Sequence, residues 1–480
     1  MKRRMNMFFK FLMGGLGLLL LAGTSFAADF TDISTAAGVA DDGLGKGVAF
    51  ADVNNDGLVD LYVSNKGGAN KLFLNSGNGR FEDITATAGA GIDYPGFAMG
   101  SVFGDYDNDG NIDLYLATGG RNEIEANRLF KGNGDGTFVD VTNEAGVGLK
   151  AFTYGASFAD YDGDGFLDIY CANYGVGAKN VLYRNNGDGT FSDVTELAGV
   201  GDPSWSWMGV WSDVDNDGDV DLYVVNGRYP VGEANRLYLN NGDGTFAEVA
   251  KQAGVADKNW GLGATFADID NDGDQDLFVS NYVGKNNLYL NNGNGTFTQA
   301  SDKMAGAHEG WGKGPTFGDI DHDGDVDLYE GDCKLANQLY VNDGSGNFEN
   351  VAGDQPQIQC STVRTKGTAF ADIDNDGDLD LYVVNWGAAN KLYLNQQNDS
   401  NFIKVKVSGK GSGYGAKVEL KKNGQTVATR EMKSADGFCA QSPNVAHFGA
   451  SGSYDVTVTF ADGTSKTAKA SSGETITINQ

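Results

Sequence analysis

The sequence predicts an all-β fold: a seven-bladed β-propeller followed by a small β-sandwich-like domain. A nine-residue acidic loop occurs seven times, with Asp at positions one, five and nine, Asp or Asn at three, and Gly at six. Its first Asp recurs every 51 to 55 residues, the length of a four-stranded propeller blade. Each loop lies between short apolar segments of the type Gly-x-x-Phe-Ala-Asp and Asp-Leu-Tyr-Val-Val-Asn, which read as strands.

Residues 1–27 read as a secretory signal peptide. Lys2, Arg3, Arg4 and Lys10 precede an apolar run from Phe11 to Ala22, and Ser25-Phe26-Ala27 offers small residues for cleavage. The run is too short for a comfortable membrane span, and Thr24 stands where a lipid-bearing Cys would be needed. The expected protein is therefore secreted or periplasmic, with no membrane insertion. The formal charge of −30, from 65 acidic and 35 basic residues, argues against a nucleic-acid partner.

Residues 28–395 carry the propeller. In each unit the innermost strand enters the acidic loop and the second leaves it. The third is of the type Asn-x-Leu-Tyr-Leu-Asn, and a Gly-rich hairpin such as Asn240–Phe246 leads into the fourth. One fourth-strand segment, Phe30–Ser34, precedes every loop, whereas the seventh unit lacks one. That predicts ring closure by the N-terminal strand on the outer edge of the last blade. Residues 396–400 form a linker. Residues 401–480 form the second domain, with strands over Phe402–Val407, Ala416–Leu420, Thr426–Glu431, Tyr454–Phe460 and Glu474–Ile478.

Carboxylates at alternate positions of a tight turn converge and repel until a hard cation accepts their oxygens; calcium takes six to eight. The side-chain ligands predicted are Asp52, Asn54, Asp56 and Asp60 in the first loop, Asp105, Asp107, Asp109 and Asp113 in the second, and Asp160, Asp162, Asp164 and Asp168 in the third. Asp213, Asp215, Asp217 and Asp221 serve the fourth, and Asp268, Asp270, Asp272 and Asp276 the fifth. Asp319, Asp321, Asp323 and Asp327 serve the sixth, and Asp372, Asp374, Asp376 and Asp380 the seventh. Position seven ranges from Leu58 and Phe166 to Asp219, so it is expected to give its backbone carbonyl. An EF-hand is excluded because position twelve, which would need a bidentate Glu, is Val63, Leu116, Cys171, Val224, Val279, Glu330 and Val383. The expected cofactor is Ca2+, up to seven ions. Asx turns without metal explain one copy as well, but not the same ligand positions seven times.

The loops with their flanks resemble the FG-GAP/VCBS repeat family, whose propeller is also the head fold of integrin α chains. The resemblance runs from about Phe30 to Asn395. The segments Gly413-Tyr-Gly-Ala-Lys-Val418, Gly437-Phe-Cys-Ala-Gln-Ser442 and His447-Phe448-Gly449 make the C-terminal domain similar to the ASPIC/UnbV domain, although Phe460-Ala-Asp-Gly463 replaces that family's usual Trp-Pro-Ser-Gly. The combination is similar to bacterial relatives of cartilage acidic protein. This resemblance implies calcium binding and an extracellular adhesive or recognition role, without supplying a ligand.

Propeller ligands sit at a channel mouth. On the face opposite the acidic loops, the residue eight before each first Asp is Leu44, Phe97, Phe152, Trp205, Trp260, Trp311 or Arg364, and two further on come Lys46, Met99, Tyr154, Trp207, Leu262, Lys313 and Lys366. This reads either as aromatic packing between blades or as a stacking platform rimmed by lysines, for which Trp205, Trp311 and Trp386 are the candidate ligand-binding residues. No catalytic motif appears. His308 with Glu309, Trp311 and Lys313 is the one cluster combining acid, base and aromatic; His322 is expected to face solvent and His447 to be structural. Cys171 reads as a buried strand thiol, Cys333 and Cys360 are candidates for a disulfide, and Cys439 has no mate. The expected function is a non-enzymatic recognition or adhesion protein with an extracellular protein or glycan ligand. The alternative is a carbohydrate-active enzyme, a polysaccharide lyase or dehydratase.

Overall fold

The structure, a computed structural model, describes residues 28–480 except 121–124, 176, 229–231, 307–309, 361 and 398. The signal-peptide reading of residues 1–27 lies outside the described residues, as does residue 398 of the linker.

Seven antiparallel sheets follow one another along the chain. The first runs outwards from Gly45–Ala51 through Asp60–Asn65 and Lys71–Asn75 to Phe81–Asp83. The other innermost strands are Ala98–Gly104, Thr153–Ala159, Ser206–Ser212, Trp260–Ala267, Gly312–Gly318 and Thr365–Ala371. Apolar side chains of each blade bury against the next: Val210 and Tyr223 of the fourth share a core with Phe266 and Leu277 of the fifth. Phe50 of the first and Tyr382 of the seventh do the same across the seam.

The N-terminal strand closes the ring as predicted. Phe30–Asp32 pairs antiparallel with Lys391–Asn395, Phe30 opposite Asn395, and Lys391 reaches Asp32 at 2.6 Å. The strand is shorter than the expected Phe30–Ser34 because Ser34 starts a helical turn to Ala37, where its hydroxyl accepts the Leu392 N–H at 2.9 Å.

In six of the seven blades a buried tyrosine ties the blade to the next connection. Tyr62 donates its hydroxyl to the Ile92 carbonyl at 2.8 Å while accepting from Asn70 Nδ2 at 2.8 Å. The same pair recurs as Tyr223 with Asn235 and Val255, and as Tyr329 with Asn337 and Ile358. Tyr382 closes the seam on Val39 at 3.0 Å. The fifth blade has Phe278 here and no hydroxyl. Asn286 turns instead to Glu330 of the sixth blade, at 2.6 and 2.8 Å from its two oxygens, and Ser280 joins at 2.8 Å. That accounts for a carboxylate at a twelfth position that is otherwise apolar or Cys.

Each innermost strand breaks register near its mouth end, between Gly45 and Gly47, Thr153 and Gly155, and Ser206 and Met208, with equivalents in the other blades. A bulge of this kind re-aims the residue left out of the ladder. The seven residues released are Lys46, Met99, Tyr154, Trp207, Leu262, Lys313 and Lys366, four of which pack in one cluster with Phe438.

The C-terminal domain has two sheets: Phe402–Ser408 between Val445–Gly449 and Glu474–Asn479, and a four-stranded sheet containing Lys417–Lys422 and Ser453–Thr459. Ile403, Val405, Val418, Phe448, Val456 and Val458 fill the space between them. This domain sits on the acidic-loop face and threads a segment into the channel. There Ala440–Gln441 adds a short parallel strand to Gly45–Ala51, Gly437 exchanges backbone hydrogen bonds with Ala264 at 2.9 and 3.3 Å, and Gln441 binds both the N–H and the C=O of Phe103. The segment thereby satisfies channel-facing edge groups that would otherwise lack partners. Gly47 makes this approach possible: a Cβ there would lie 2.5 Å from the Cys439 carbonyl.

All four thiols are free, so the expected Cys333–Cys360 disulfide does not form. The two project into different places. Cys333 Sγ lies 3.2 Å from Lys366 Nζ at the channel mouth, whereas Cys360 Sγ lies 3.2 Å from the Tyr393 hydroxyl near the ring seam. Cys171 is buried in its strand as expected, and Cys439 is part of the channel plug.

Phe30 is buried in the seventh-blade core. Phe30→Ala is expected to cost about 3–5 kcal/mol, read as a shift in the denaturation midpoint. A loss below about 1 kcal/mol would mean that the closing strand does not lock the ring.

Candidate functional site

The acidic loops share one internal wiring. The Oδ2 of the first Asp accepts the N–H of the sixth-position Gly, from Gly57 to Asp52 at 2.8 Å through Gly377 to Asp372 at 3.0 Å. The fifth-position Asp accepts the N–H of position seven, as Asp217 does from Asp219 at 3.0 Å. The ninth-position Asp is a double clamp. In the fourth loop Asp221 accepts Val214 N–H at 2.9 Å with one oxygen and Asn240 N–H of the third strand at 2.8 Å with the other, and Asp60 through Asp380 repeat this. Positions four and six take left-handed backbone: Asn55, Asn108, Asn216, Asn271, His322 and Asn375 at φ near 60°, and the glycines between 87° and 104°. Position four was missed by the sequence reading; its restriction to Asn, Gly and His was the available signal.

After these bonds are made, one oxygen of the first Asp and one of the third remain buried without a partner in five loops: Asp160 and Asp162, Asp213 and Asp215, Asp268 and Asp270, Asp319 and Asp321, Asp372 and Asp374. Buried orphan carboxylate oxygens are expensive. Burial first, and then the neighbouring carboxylates, push Asp160 and Asp268 up to about 7, and Asp221 and Asp276 up to about 8. Carboxylate oxygens from three residues come within 4.8 Å of one another in, among others, the second to sixth loops, close enough to hold one metal ion. A hard cation fits this donor set. The first loop differs, because Asn54 supplies an amide and none of its oxygens is orphaned among the described residues. In the second loop the Lys131 ammonium contacts both Asp107 and Asp109.

The C-terminal domain touches every loop. Lys406 donates to the Gly57 carbonyl at 3.2 Å. Gly411 donates to Asn108 at 2.9 Å, Lys410 packs beside Gly165, and Glu431 accepts from the Asp213 N–H at 3.0 Å. Lys417 donates to the Gly273 carbonyl at 2.8 Å, Gly449 to Asp319 at 2.5 Å, and Lys404 contacts Asp372. His322, expected to face solvent, is buried under this domain. Its Nδ1 lies 2.9 Å from Asp399 and its Nε2 3.1 Å from the Gly377 carbonyl, and its ring lies 5.5 Å from that of His447. His447 packs on the same carbonyl at 2.7 Å, and burial pushes it down to about 3, so it is neutral.

On the opposite face the channel ends in a cavity of about 430 Å3 lined by both rings and lysines. Phe438 of the plug packs against Tyr154 and Trp207, which line it. Trp205 packs against Tyr174, centroids 4.5 Å apart, beneath the Arg228 guanidinium. Trp311 packs against Tyr282 at 4.3 Å beneath Lys334. Trp386 lies across the mouth, with Lys46 at 4.6 Å and Lys366 at 5.7 Å from its ring. The lysines expected at the rim are instead buried: Lys46 is 4% exposed and Lys313 and Lys366 each 6%. The bulges turn them inward. His308 and Glu309 lie outside the described residues.

The profile described as FG-GAP-like repeat matches residues 52–116, 105–171, 160–224, 213–279, 268–330 and 332–383, and that described as ASPIC and UnbV matches 407–480. The chain is similar to cartilage acidic protein 1 of Homo sapiens, at 28% identity over 339 residues covering 63% of this chain and 50% of that protein. The protein of that name in Xenopus tropicalis is 25% identical over 484 residues, covering 90% of this chain and 72% of the relative. The chain spans about half the length of the human and mouse proteins it matches. Among solved structures, YCF48 from Cyanidioschyzon merolae aligns with TM-score 0.45 and 10% identity, covering 73% of this chain and 96% of that one.

Lys131 occupies the second loop as a tethered cation. Lys131→Met is expected to lower ion-free stability by no more than about 1 kcal/mol, since the pair is partly exposed, and to enlarge the gain in melting temperature on adding millimolar calcium. An unchanged calcium-dependent gain in paired melts would show that no ion competes for this loop.

Proposed function

On the premise that this chain belongs to the FG-GAP-like repeat family, with an ASPIC and UnbV domain at its C-terminal end, we propose that it is an exported, calcium-stabilised recognition protein rather than an enzyme. The observation that carries the reading is the pair of buried, partnerless carboxylate oxygens repeated in five loops. Calcium bound there supplies positive charge and six to eight oxygen coordination positions. The first, third and fifth residues of each loop would hold it, with the ninth giving whatever its two backbone bonds leave free. Magnesium suits the loops less, because it requires near-octahedral geometry and keeps its waters.

The chain's own residues divide the remaining work. The glycines and asparagines at positions six and four hold the loop shape. Lys404, Lys406, Lys417 and Glu431 read that shape from the second domain. The plug carries Phe438 to the far mouth, where Trp205, Trp311 and Trp386 offer flat apolar surface to an extracellular protein or glycan. Export would place the loops where calcium is millimolar, enough to fill sites of the affinity typical of extracellular calcium modules, about 10⁻⁴–10⁻³ M.

Removal of the ion tests this. A site with Kd of about 10⁻⁴ M contributes about 2.7 kcal/mol at a hundredfold excess of calcium. Several such sites are expected to raise the melting temperature by more than about 10 °C over that in EGTA. Coincident melts in calorimetry with and without calcium would refute the reading.

A further inference from the structure

Three lysine side chains are withdrawn from water at the mouth without a carboxylate to meet them. Lys46, Lys313 and Lys366 occupy the bulge positions of the first, sixth and seventh blades, so they are consecutive around the ring. None of them makes an ion pair among the described residues. Lys46 Nζ lies 3.4 Å from the Tyr154 hydroxyl, Lys366 Nζ 3.2 Å from Cys333 Sγ, and Lys313 Nζ 4.2 Å from the centre of the Phe438 ring. The rest of the ring is Met99, Tyr154, Trp207 and Leu262. One arc is cationic and the other aromatic and apolar.

Buried like charges repel and lose hydration, and ring faces recover only part of that loss. Burial and the neighbouring lysines hold Lys46 well below its ordinary value and bring Lys366 down to about 8. Among the described residues, Cys333 and the Tyr154 hydroxyl lie within hydrogen-bonding reach of them. Burial would raise the Cys333 thiol, yet Lys313 and Lys366 hold it below its ordinary value. A single thiolate cannot balance three ammonium groups, so full charging of the cluster is favoured when a further anion stands beside it.

We propose that the mouth is a site for an acidic saccharide unit, whose carboxylate lies against Lys313, which lines the cavity, within reach of the charge of Lys46 and Lys366 beside it, and whose ring lies on Tyr154 and Trp207. This rests on the recognition reading above and adds the chemistry of the ligand. The cavity of about 430 Å3 falls within the range of small-molecule pockets. The formal charge of −30 disfavours the approach of a long polyanion, which favours a single acidic sugar or the end of a glycan over the middle of an acidic polymer.

The site has a pH signature. An anion favours the ammonium forms, so binding takes up protons and strengthens as pH falls from about 9 to about 7. The other groups facing the cluster are Lys66, Arg364, Cys333, Cys439, Asp332 and Tyr154. Cys333 losing its proton at higher pH weakens anion binding in the same direction.

Five of the six tryptophans, all but Trp211, lie at or around the mouth, so intrinsic fluorescence reports occupancy. The calcium-loaded full chain is titrated with glucuronate, methyl glucoside and acetate, and Lys366→Met and Lys46→Met are compared. Glucuronate is expected to quench at least tenfold more effectively than either control. Each variant is expected to lose at least tenfold in glucuronate affinity while melting no lower than the parent, because an unpaired buried charge has been removed. Equal responses to glucuronate and methyl glucoside, acetate as effective as glucuronate, or unchanged affinity in both variants overturns the proposal. Methyl glucoside binding as well as glucuronate would overturn only the acidic-ligand assignment and leave the recognition reading standing; loss of the calcium-dependent melt would overturn that reading instead.

Discussion

The structure depends on carboxylates taken out of water in pairs. Each blade folds back through a loop whose Asp side chains first satisfy their own backbone, sixth-position Gly N–H to first Asp and two strand N–H groups to ninth Asp. Only afterwards does an unmet oxygen remain. The same residues that shape the turn thus set its electrostatic problem, and substitution at one position affects both. The second domain docks on seven turns at once, so the geometry of the turns governs an interface spread across the whole ring.

The plug connects that interface to the far side. Residues between Lys433 and Ser442 fill the channel, bonding to blades one and five through backbone, to blade two through the Gln441 side chain and to blade three through Ser434. The walls of the mouth therefore pack on a residue from a different domain. Phe438 touches Tyr154, Trp207 and Lys313, and whatever shifts the docking of residues 401–480 moves the surface that a ligand would meet. Such coupling has a physical carrier here, a continuous backbone segment, and needs no long chain of side-chain relays.

Most of the ring was legible from local pattern. The loop period gives the blade count, alternation gives the strands, and the displaced fourth-strand segment Phe30–Asp32 gives closure, because each follows from spacing along the chain. What escaped depends on contacts between distant segments. His322 looks like a solvent-facing loop residue until Asp399 and His447 close over it. Cys333 and Cys360 share a face in a schematic propeller, yet one points to the channel and the other to the seam. The lysines at the mouth carry no sequence mark of burial, because a single-residue bulge decides whether such a side chain faces in or out. Glu330 was visible as an exception at position twelve, but its reason, the missing hydroxyl of Phe278, lies in the preceding blade.

Closure by the first strand carries a consequence for biogenesis. Thr31 and Gln396, neighbours in the finished seam, are 365 residues apart in the chain. The first strand of the propeller must wait for nearly all the rest before its partner exists, and until the two pair the seventh sheet has an open edge able to recruit another chain. Assembly is thus first-made, last-paired, with a slow topological step at its end. A chaperone that shields Phe30–Asp32 would protect the intermediate at that margin.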